Sequence, residues 1–210
     1  MNSITNIIVI ITITFSIISF YNQNLFSKML FSPYLVSQSK QYYRFFTYGL
    51  IHADWLHLLI NMFVLNSFGK IVEHDFEMFF FNGKFYYIIL YVCGTIVAVV
   101  PSYFKYKANH YYNAVGASGA VSAVIFSSII IHPFDSGIMI FPLPLTIPAI
   151  IFGILYLIYS VYMDKKGQDN VGHNAHFWGA IFGILYTIML KPSLVLRFIK
   201  QFLLFFSTFI

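Results

Sequence analysis

Long apolar segments are the feature that most constrains the fold of this chain. Stretches of about membrane-spanning length lie near residues 4–20, 54–72, 84–104, 115–131, 144–163 and 174–191. A helix needs roughly 20 predominantly apolar residues to cross a bilayer. Only 9% of the 210 residues are charged, whereas soluble domains carry roughly 25%. The sequence therefore predicts an all-α membrane protein with six transmembrane helices, in which residues 1–210 form a single domain.

The few charged residues argue against nucleic-acid binding and leave the orientation open. The formal net charge is +5, but the basic residues are scattered and form no stripe. With a cytoplasmic N-terminus, the inner basic residues would be Lys70, Lys84, Lys191, Arg197 and Lys200, and the outer ones Lys28, Lys40, Arg44, Lys105, Lys107, Lys165 and Lys166. The positive-inside rule weakly opposes that orientation.

The two ends of the chain also carry apolar sequence. The first twenty residues lack a basic n-region and a small-residue cleavage site, so we predict a retained first span instead of a signal peptide. The apolar stretch after Pro192 is interrupted by Arg197 and Lys200. It is expected to extend the last helix or to lie in the membrane interface, and it is not counted as a seventh span.

Polar residues at the start of three predicted spans are candidates for function, because such residues are costly inside a membrane. His57 and Asn61 are four residues apart in the second span, which places them on one helical face. Ser118 opens the fourth span. His176 opens the sixth. Alone, each of these residues would also fit ordinary anchoring, capping or helix packing.

Glycines accompany the serine and the last histidine. Gly116 and Gly119 flank Ser118, and Gly179 and Gly183 follow His176 on the same helical face. Small residues at this spacing let two membrane helices approach closely. We therefore expect the fourth and sixth spans to pack together and to bring the serine and the histidine within hydrogen-bond reach.

The topology adds that these polar groups share one membrane face. The second, fourth and sixth spans run in the same direction, and each carries its polar group in its first turns. A serine, a histidine base and preorganised hydrogen-bond donors are the components of nucleophilic acyl transfer. Within a span, no carboxylate accompanies the histidine, since Asp54 and Asp169 lie at a helix start and in a turn. The pattern favours a Ser–His dyad.

Several motifs, in order along the chain, resemble the rhomboid family of intramembrane serine proteases. They are "YRFFT" at 43–47, "HADWLHLLINM", the Gly69 and Glu73 pair, "GASG" and "AHFWGAIFG". Together they span roughly residues 42–187. Tyr43 stands where the family has Trp, which affects the long first loop only.

The resemblance implies a six-helix core with Ser118 as nucleophile and His176 as general base. It implies an oxyanion site made by His57, Asn61 and the Ser118 amide, and structural roles for Arg44 and Glu73. Substrates would be single-span membrane proteins in the lipid bilayer. No metal or other cofactor is expected, and the bacterial inner membrane is the predicted location.

Two other functions remain open from the sequence. One is a catalytically silent rhomboid-like protein that binds membrane helices. The other is a metal or proton transporter, for which the candidate side chains are His52, His57, His110, His173 and His176. The transporter is the weaker hypothesis, because no carboxylate within a span pairs with these histidines and no inverted repeat is visible. The oligomeric state cannot be predicted.

Overall fold

The structure is a computed structural model that describes residues 3–134, 137–139, 146–166 and 172–207. Within these residues the helices are α1 (Ile4–Tyr21), α2 (Gln23–Met29), α3 (Pro33–Ser39), α4 (Arg44–Thr47), α5 (Trp55–Phe79), α6 (Gly83–Tyr106), α7 (Ser118–Ile131), α8 (Ala149–Lys166), α9 (His173–Leu190) and α10 (Ser193–Ser207). A 3-10 turn covers Tyr48–Leu50, and β1 (Gly137–Met139) pairs antiparallel with β2 (Thr146–Pro148).

The predicted all-α membrane fold is confirmed, and a helix occupies each of the six predicted spans. Three of these helices, α1, α5 and α6, are individually long and apolar enough to cross a membrane. A fourth candidate is the bent pair formed by α9 and α10. The helix α7 is apolar but has only 14 residues. The six-span count is consistent with this arrangement and stays a prediction.

The structure differs from the sequence reading in three places. The long first loop, residues 21–53 between the first two predicted spans, contains α2, α3 and α4 and the 3-10 turn. The segment between the fourth and fifth predicted spans contains β1, whose pairing with β2 was not predicted. Residues 135–136 and 140–145 lie outside the described part. α5 also runs seven residues beyond the predicted 54–72. Short helices and hairpins carry too few apolar residues to produce a spanning signal.

The core lies around α7, whose neighbours are α5, α6, α8, α9 and α10. Twelve of its 14 residues are buried, and Ser118 is half-buried at its start. An apolar helix that is buried on all sides is typical of the centre of a bundle. The fold therefore places the candidate nucleophile at one end of the most enclosed helix.

Glu73 and Arg44, for which structural roles were predicted, each form hydrogen bonds with the end of another helix. The Glu73 carboxylate on α5 accepts hydrogen bonds from the Ser3 and Thr5 hydroxyls and from the backbone N–H groups of Ile4 and Thr5, at 2.7–2.9 Å. An acidic group is favourable at this position because the N-terminal amides of a helix are unpaired and carry partial positive charge. Glu73 thus fastens the start of α1 to α5.

Arg44, the other of these two residues, fastens the long first loop. Its Nη1 donates to the carbonyl oxygens of Ser27 (2.9 Å) and Leu30 (2.6 Å), and its Nε donates to Gln41 Oε1 at 2.7 Å. Only 4% of the residue is exposed. Since the two carbonyls terminate α2, the guanidinium supplies donors that the end of a helix lacks.

Candidate active site

The helices α7 and α9 run parallel with their backbones in direct contact. A Cβ atom on Gly179 would overlap the Gly119 carbonyl oxygen, and one on Gly183 would overlap that of Ala123. One turn beyond Gly183, Thr187 Oγ1 lies within hydrogen-bond distance of Ser127 Oγ, at 2.7 Å. All three pairs are offset by 60 residues.

This register aligns the first turns of the two helices. With the 60-residue offset, His176 is level with position 116, two residues before Ser118. At 1.5 Å per residue, the two candidate dyad residues differ by roughly 3 Å along the helix axes. Gly116, Gly119, Gly179 and His176 therefore belong to one small region at the start of α7.

The His176 ring lies against α8. It stacks on Tyr156 with ring centroids 6.0 Å apart and planes inclined by 25°. The Tyr156 hydroxyl lies 2.9 Å from Ser122 Oγ, one turn beyond Ser118 on α7. Tyr156 was not identified from the sequence. Nothing in its surroundings there separates it from the other aromatic residues of α8.

His173, one of the histidines considered for a transporter, begins α9 and is 4% exposed. Its ring is 5.8 Å from that of His176 and 5.5 Å from that of Tyr159. The register places it level with position 113, which is further from Ser118 than His176 is. Asp169, considered as a carboxylate partner, lies outside the described residues.

The segment that precedes α7 packs against the His57 ring at Gly116. Gly116 has φ +112°, a conformation that favours glycine, and a Cβ there would lie 2.6 Å from His57 Cε1 and 2.9 Å from Nε2. The absence of a side chain thus lets the imidazole come close to the backbone two residues before Ser118. The structure brings His57 to the start of α7 as the sequence predicted.

Asn61 lies one turn further along α5 and is 6% exposed. Its Nδ2 donates one hydrogen to the His57 carbonyl oxygen at 2.9 Å. A carboxamide nitrogen carries two hydrogens, so a second N–H remains for another acceptor.

His52 is a component of this region whose role was not predicted. The Ser16 hydroxyl donates its only hydrogen to the Leu50 carbonyl oxygen (3.1 Å), so it accepts from His52 Nδ1 at 3.0 Å. His52 Nε2 is then unprotonated and accepts the Ala117 N–H at 3.3 Å. The neutral, fully buried ring therefore ties α1 to the residue before Ser118.

Burial explains why this ring stays neutral. Desolvation, with a smaller contribution from the nearby His57, lowers the pKa of His52 from 6.5 to about 3, and Asp54 opposes this only partly.

The sequence offered one signal for this role, the first histidine of "HADWLH". Its partner Ser16 lies 36 residues away in the first span, where a serine looks like ordinary packing.

Metal binding finds no support in the described residues. Within the described ranges, no group of three or more His, Cys, Asp or Glu side chains could hold a metal ion. The five histidines considered for a transporter are therefore not gathered into a metal site within that part of the chain.

In a comparison with protein families, residues 39–193 match the rhomboid domain. This range covers more than half of the chain and includes α5 to α9. The chain belongs to the rhomboid family. The family resemblance inferred from the motifs is therefore confirmed.

Curated relatives agree with this assignment. Rhomboid-like protein 12, mitochondrial, and Rhomboid-like protein 11, chloroplastic, both of Arabidopsis thaliana, are 27% and 28% identical over 64% and 76% of this chain. The presenilin-associated rhomboid-like protein, mitochondrial, of Bos taurus is 27% identical over 81%. This rhomboid chain spans about half the length of these relatives, 42%, 56% and 41% respectively.

Proposed function

We propose that this rhomboid protein is an intramembrane serine endopeptidase that cuts transmembrane-helix substrates with a Ser118–His176 dyad. The observation that carries the proposal is the backbone contact of Gly119 with Gly179, which aligns the first turns of α7 and α9. A packed pair of helices holds its side chains more precisely than a loop does, as catalysis by positioned groups requires.

In the proposed reaction, a ring nitrogen of His176 takes the proton of the Ser118 hydroxyl as its oxygen attacks a peptide carbonyl. The imidazolium then protonates the leaving amine, and an acyl-enzyme forms. Water, deprotonated by His176, releases the acyl group and restores the serine. A neutral histidine is suited to this work near neutral pH, and the stacked Tyr156 ring supports its orientation.

The developing oxyanion requires donors that are already in place. Three groups near the start of α7 are proposed for this role. They are the Ser118 backbone N–H, at a helix start where amides lack intrahelical partners, the second Asn61 N–H, and the His57 ring beside Gly116.

A cleavage assay tests the dyad. The purified full chain in detergent is incubated with a single-span model substrate that has small residues in its helix. We expect Ser118→Ala and His176→Ala to abolish cleavage, and Asn61→Ala to lower kcat by about 10²–10³. Cleavage that persists in Ser118→Ala would overturn the proposal.

Matched controls separate chemistry from general damage. The exposed residues Ser67 and His74 lie on α5, and Ser67→Ala and His74→Ala should keep the native rate. His173→Asn should keep most of the activity because His173 lies further from the Ser118 level. If His173→Asn abolishes cleavage and His176→Ala does not, the base has been misassigned.

The second candidate is a catalytically silent rhomboid-like protein that binds membrane helices. The exposed apolar face of α8, with Ile154, Leu155 and Ile158 each more than half exposed, supports a surface for such helices. A fluorophosphonate probe separates the two functions. Labelling that disappears in Ser118→Ala favours the protease, and substrate binding without labelling favours the silent protein.

The bacterial inner membrane remains a prediction. The relatives named above carry mitochondrial or chloroplastic names and do not support it.

The orientation in the membrane, which the basic residues leave open, is tested with a topology reporter fused after Ile210. A cytoplasmic reporter signal would place the Ser118 end of the bundle on the opposite, outer side, as the proposal expects.

A further inference from the structure

Apart from its first residue, the helix α10 lies outside the family match, which ends at residue 193. It follows α9 after two residues and is bent from it by 110°. If α9 crosses the bilayer with the average tilt of roughly 20°, α10 runs close to the membrane plane. Its 15 residues measure about 22 Å, less than the roughly 30 Å of hydrocarbon that a span must cross.

The surface of α10 divides into three sectors. One sector packs on the protein. Leu194 is 2% exposed. The Phe205 ring stacks on that of Phe134, which follows α7, with ring centroids 4.7 Å apart. Because Leu194 and Phe205 lie on the side that packs on the bundle, the other sides of α10 face away from it.

The second sector is apolar and exposed. Helical spacing of 100° per residue places its members on one side, and each is 37–73% exposed: Val195, Leu196, Ile199, Phe202 and Leu203. An exposed apolar strip of this kind on a soluble surface would be an aggregation liability.

The third sector is polar and basic. It contains Ser193, Arg197, Lys200 and Ser207, all exposed, with Leu204 as the one apolar member. The described part of α10 contains no acidic residue. A helix with an apolar side, a basic side and a length insufficient to span is typical of helices that lie in the membrane–water interface.

We propose that α10 lies in the interface of the leaflet opposite Ser118 and binds anionic phospholipid headgroups through Arg197 and Lys200. The leaflet follows from the fold. The helix α9 runs parallel to α7 away from Ser118, and its 18 residues carry the chain about 27 Å before α10 begins. Charge complementarity selects the lipid, since two basic side chains and no acidic one meet an anionic surface favourably.

A spin-labelling experiment on the full chain in nanodiscs tests the location. In a Cys93→Ser background, nitroxides are attached at Ile199→Cys or Leu203→Cys in the apolar sector, and at Ser193→Cys or Ser207→Cys in the polar sector. Leu59→Cys, 62% exposed on α5, serves as the control for a lipid-facing site.

We expect labels at 199 and 203 to be reached by oxygen and protected from a water-soluble nickel complex, with the reverse at 193 and 207. Nickel access at all four sites would place α10 in water and overturn the proposal. Protection of 199 and 203 from both reagents would indicate a cover of protein, such as a second copy, and would overturn it as well.

A second experiment tests the lipid chemistry. A bimane label at Ile199→Cys is quenched by brominated phosphatidylglycerol or brominated phosphatidylcholine at low salt. We expect a preference for phosphatidylglycerol that falls by roughly fivefold for each basic residue neutralised in Arg197→Gln/Lys200→Gln.

The matched control is Lys28→Gln/Lys107→Gln, which removes the same charge from two exposed lysines near the Ser118 end. This variant should keep the preference. Equal quenching by the two lipids in the native chain, or equal loss in both double variants, would overturn the assignment of Arg197 and Lys200. None of these readouts depends on proteolysis, so the inference stands or fails independently of the proposed function.

Discussion

Two neighbours of α7, the helices α9 and α8, contact it in opposite ways. The contact with α9 is made by backbone, since Gly179 and Gly183 leave no space for a Cβ atom. The contact with α8 is made by side chains. Gly153 lies near Ile129 and Phe126, and the Tyr156 hydroxyl meets Ser122.

The difference separates a fixed part of the site from an adjustable one. Backbone contacts through glycine leave almost no freedom for sliding, because any displacement creates overlaps. Side-chain contacts can be remade after a rotamer change. The proposed dyad residues therefore lie on the fixed pair, while α8 contributes the ring that stacks on His176.

The largest expected effect is at the backbone contact. Gly179→Ala or Gly183→Ala should destabilise the protein by about 3 kcal/mol or more, because the new Cβ would overlap a carbonyl oxygen of α7. Thermal denaturation in detergent measures this effect.

The matched substitution on α8 is Gly153→Ala. Its Cβ would meet Ile129 Cδ1 at 3.0 Å and Phe126 Cε1 at 3.2 Å, which are side-chain atoms that can shift. We expect a change within about 1 kcal/mol. Equal destabilisation by the α8 and α9 substitutions would remove the distinction between the two contacts.

The next effect concerns pH and the segment entering α7. Folding lowers the pKa of His52 from 6.5 to about 3. Below pH 6.5 the His52 ring therefore binds a proton in the unfolded chain and stays neutral in the folded protein. Stability should be highest above pH 6.5 and fall by about 1.4 kcal/mol per pH unit below it, or about 2 kcal/mol by pH 5.

Comparison with His52→Gln isolates this contribution, since the variant removes the titrating ring and should flatten the decline in the melting temperature between pH 6.5 and 5. An identical pH profile in the two proteins would show that His52 does not hold Ala117 as a neutral acceptor. Ser16→Ala, which removes the hydroxyl that fixes the tautomer, should lower stability at every pH.

A smaller effect is expected from Tyr156→Phe. The substitution removes the hydrogen bond to Ser122, worth about 1 kcal/mol, and keeps the ring against His176. Cleavage, if the proposed function is correct, should fall much less than in Tyr156→Leu, which removes the ring. Similar activity in both variants would contradict a role for the stacked ring.

The smallest effect is expected at the surface between α6 and α8. Lys105 and Asp164 approach to 3.8 Å with their side chains 52% and 30% exposed. Exposed ion pairs are usually worth less than 1 kcal/mol. Lys105→Ala should change the melting temperature by little, whereas a large loss would show that α8 is held more firmly than its side-chain contacts indicate.

Much of the helical arrangement was predictable, because spanning length and apolar composition are local properties. The starts of α1, α5, α6 and α9 lie within a residue of the predicted spans. Ser118, His57 and His176 could be selected because polar groups are conspicuous in apolar sequence. The short helices of the 21–53 segment and the bend before α10 depend on contacts that no local pattern records.

The roles of His52 and Tyr156 show where sequence reasoning fails. A buried histidine acquires its function from Ser16 and Ala117, which are 36 and 65 residues away. The Gly119–Gly179 pair is different, because the spacing of its small residues predicted a close helix contact.

The sequence by itself determined that this protein is a helical membrane protein, where its main helices lie, and which polar side chains enter apolar segments. The tertiary structure decided the 60-residue register of α7 against α9, the neutral state of His52 and the neighbour of His176. The physical reason is that burial and hydrogen bonding depend on groups distant in the chain. A pair of glycines permits a close contact, and only the packed helices specify the exact atoms that meet.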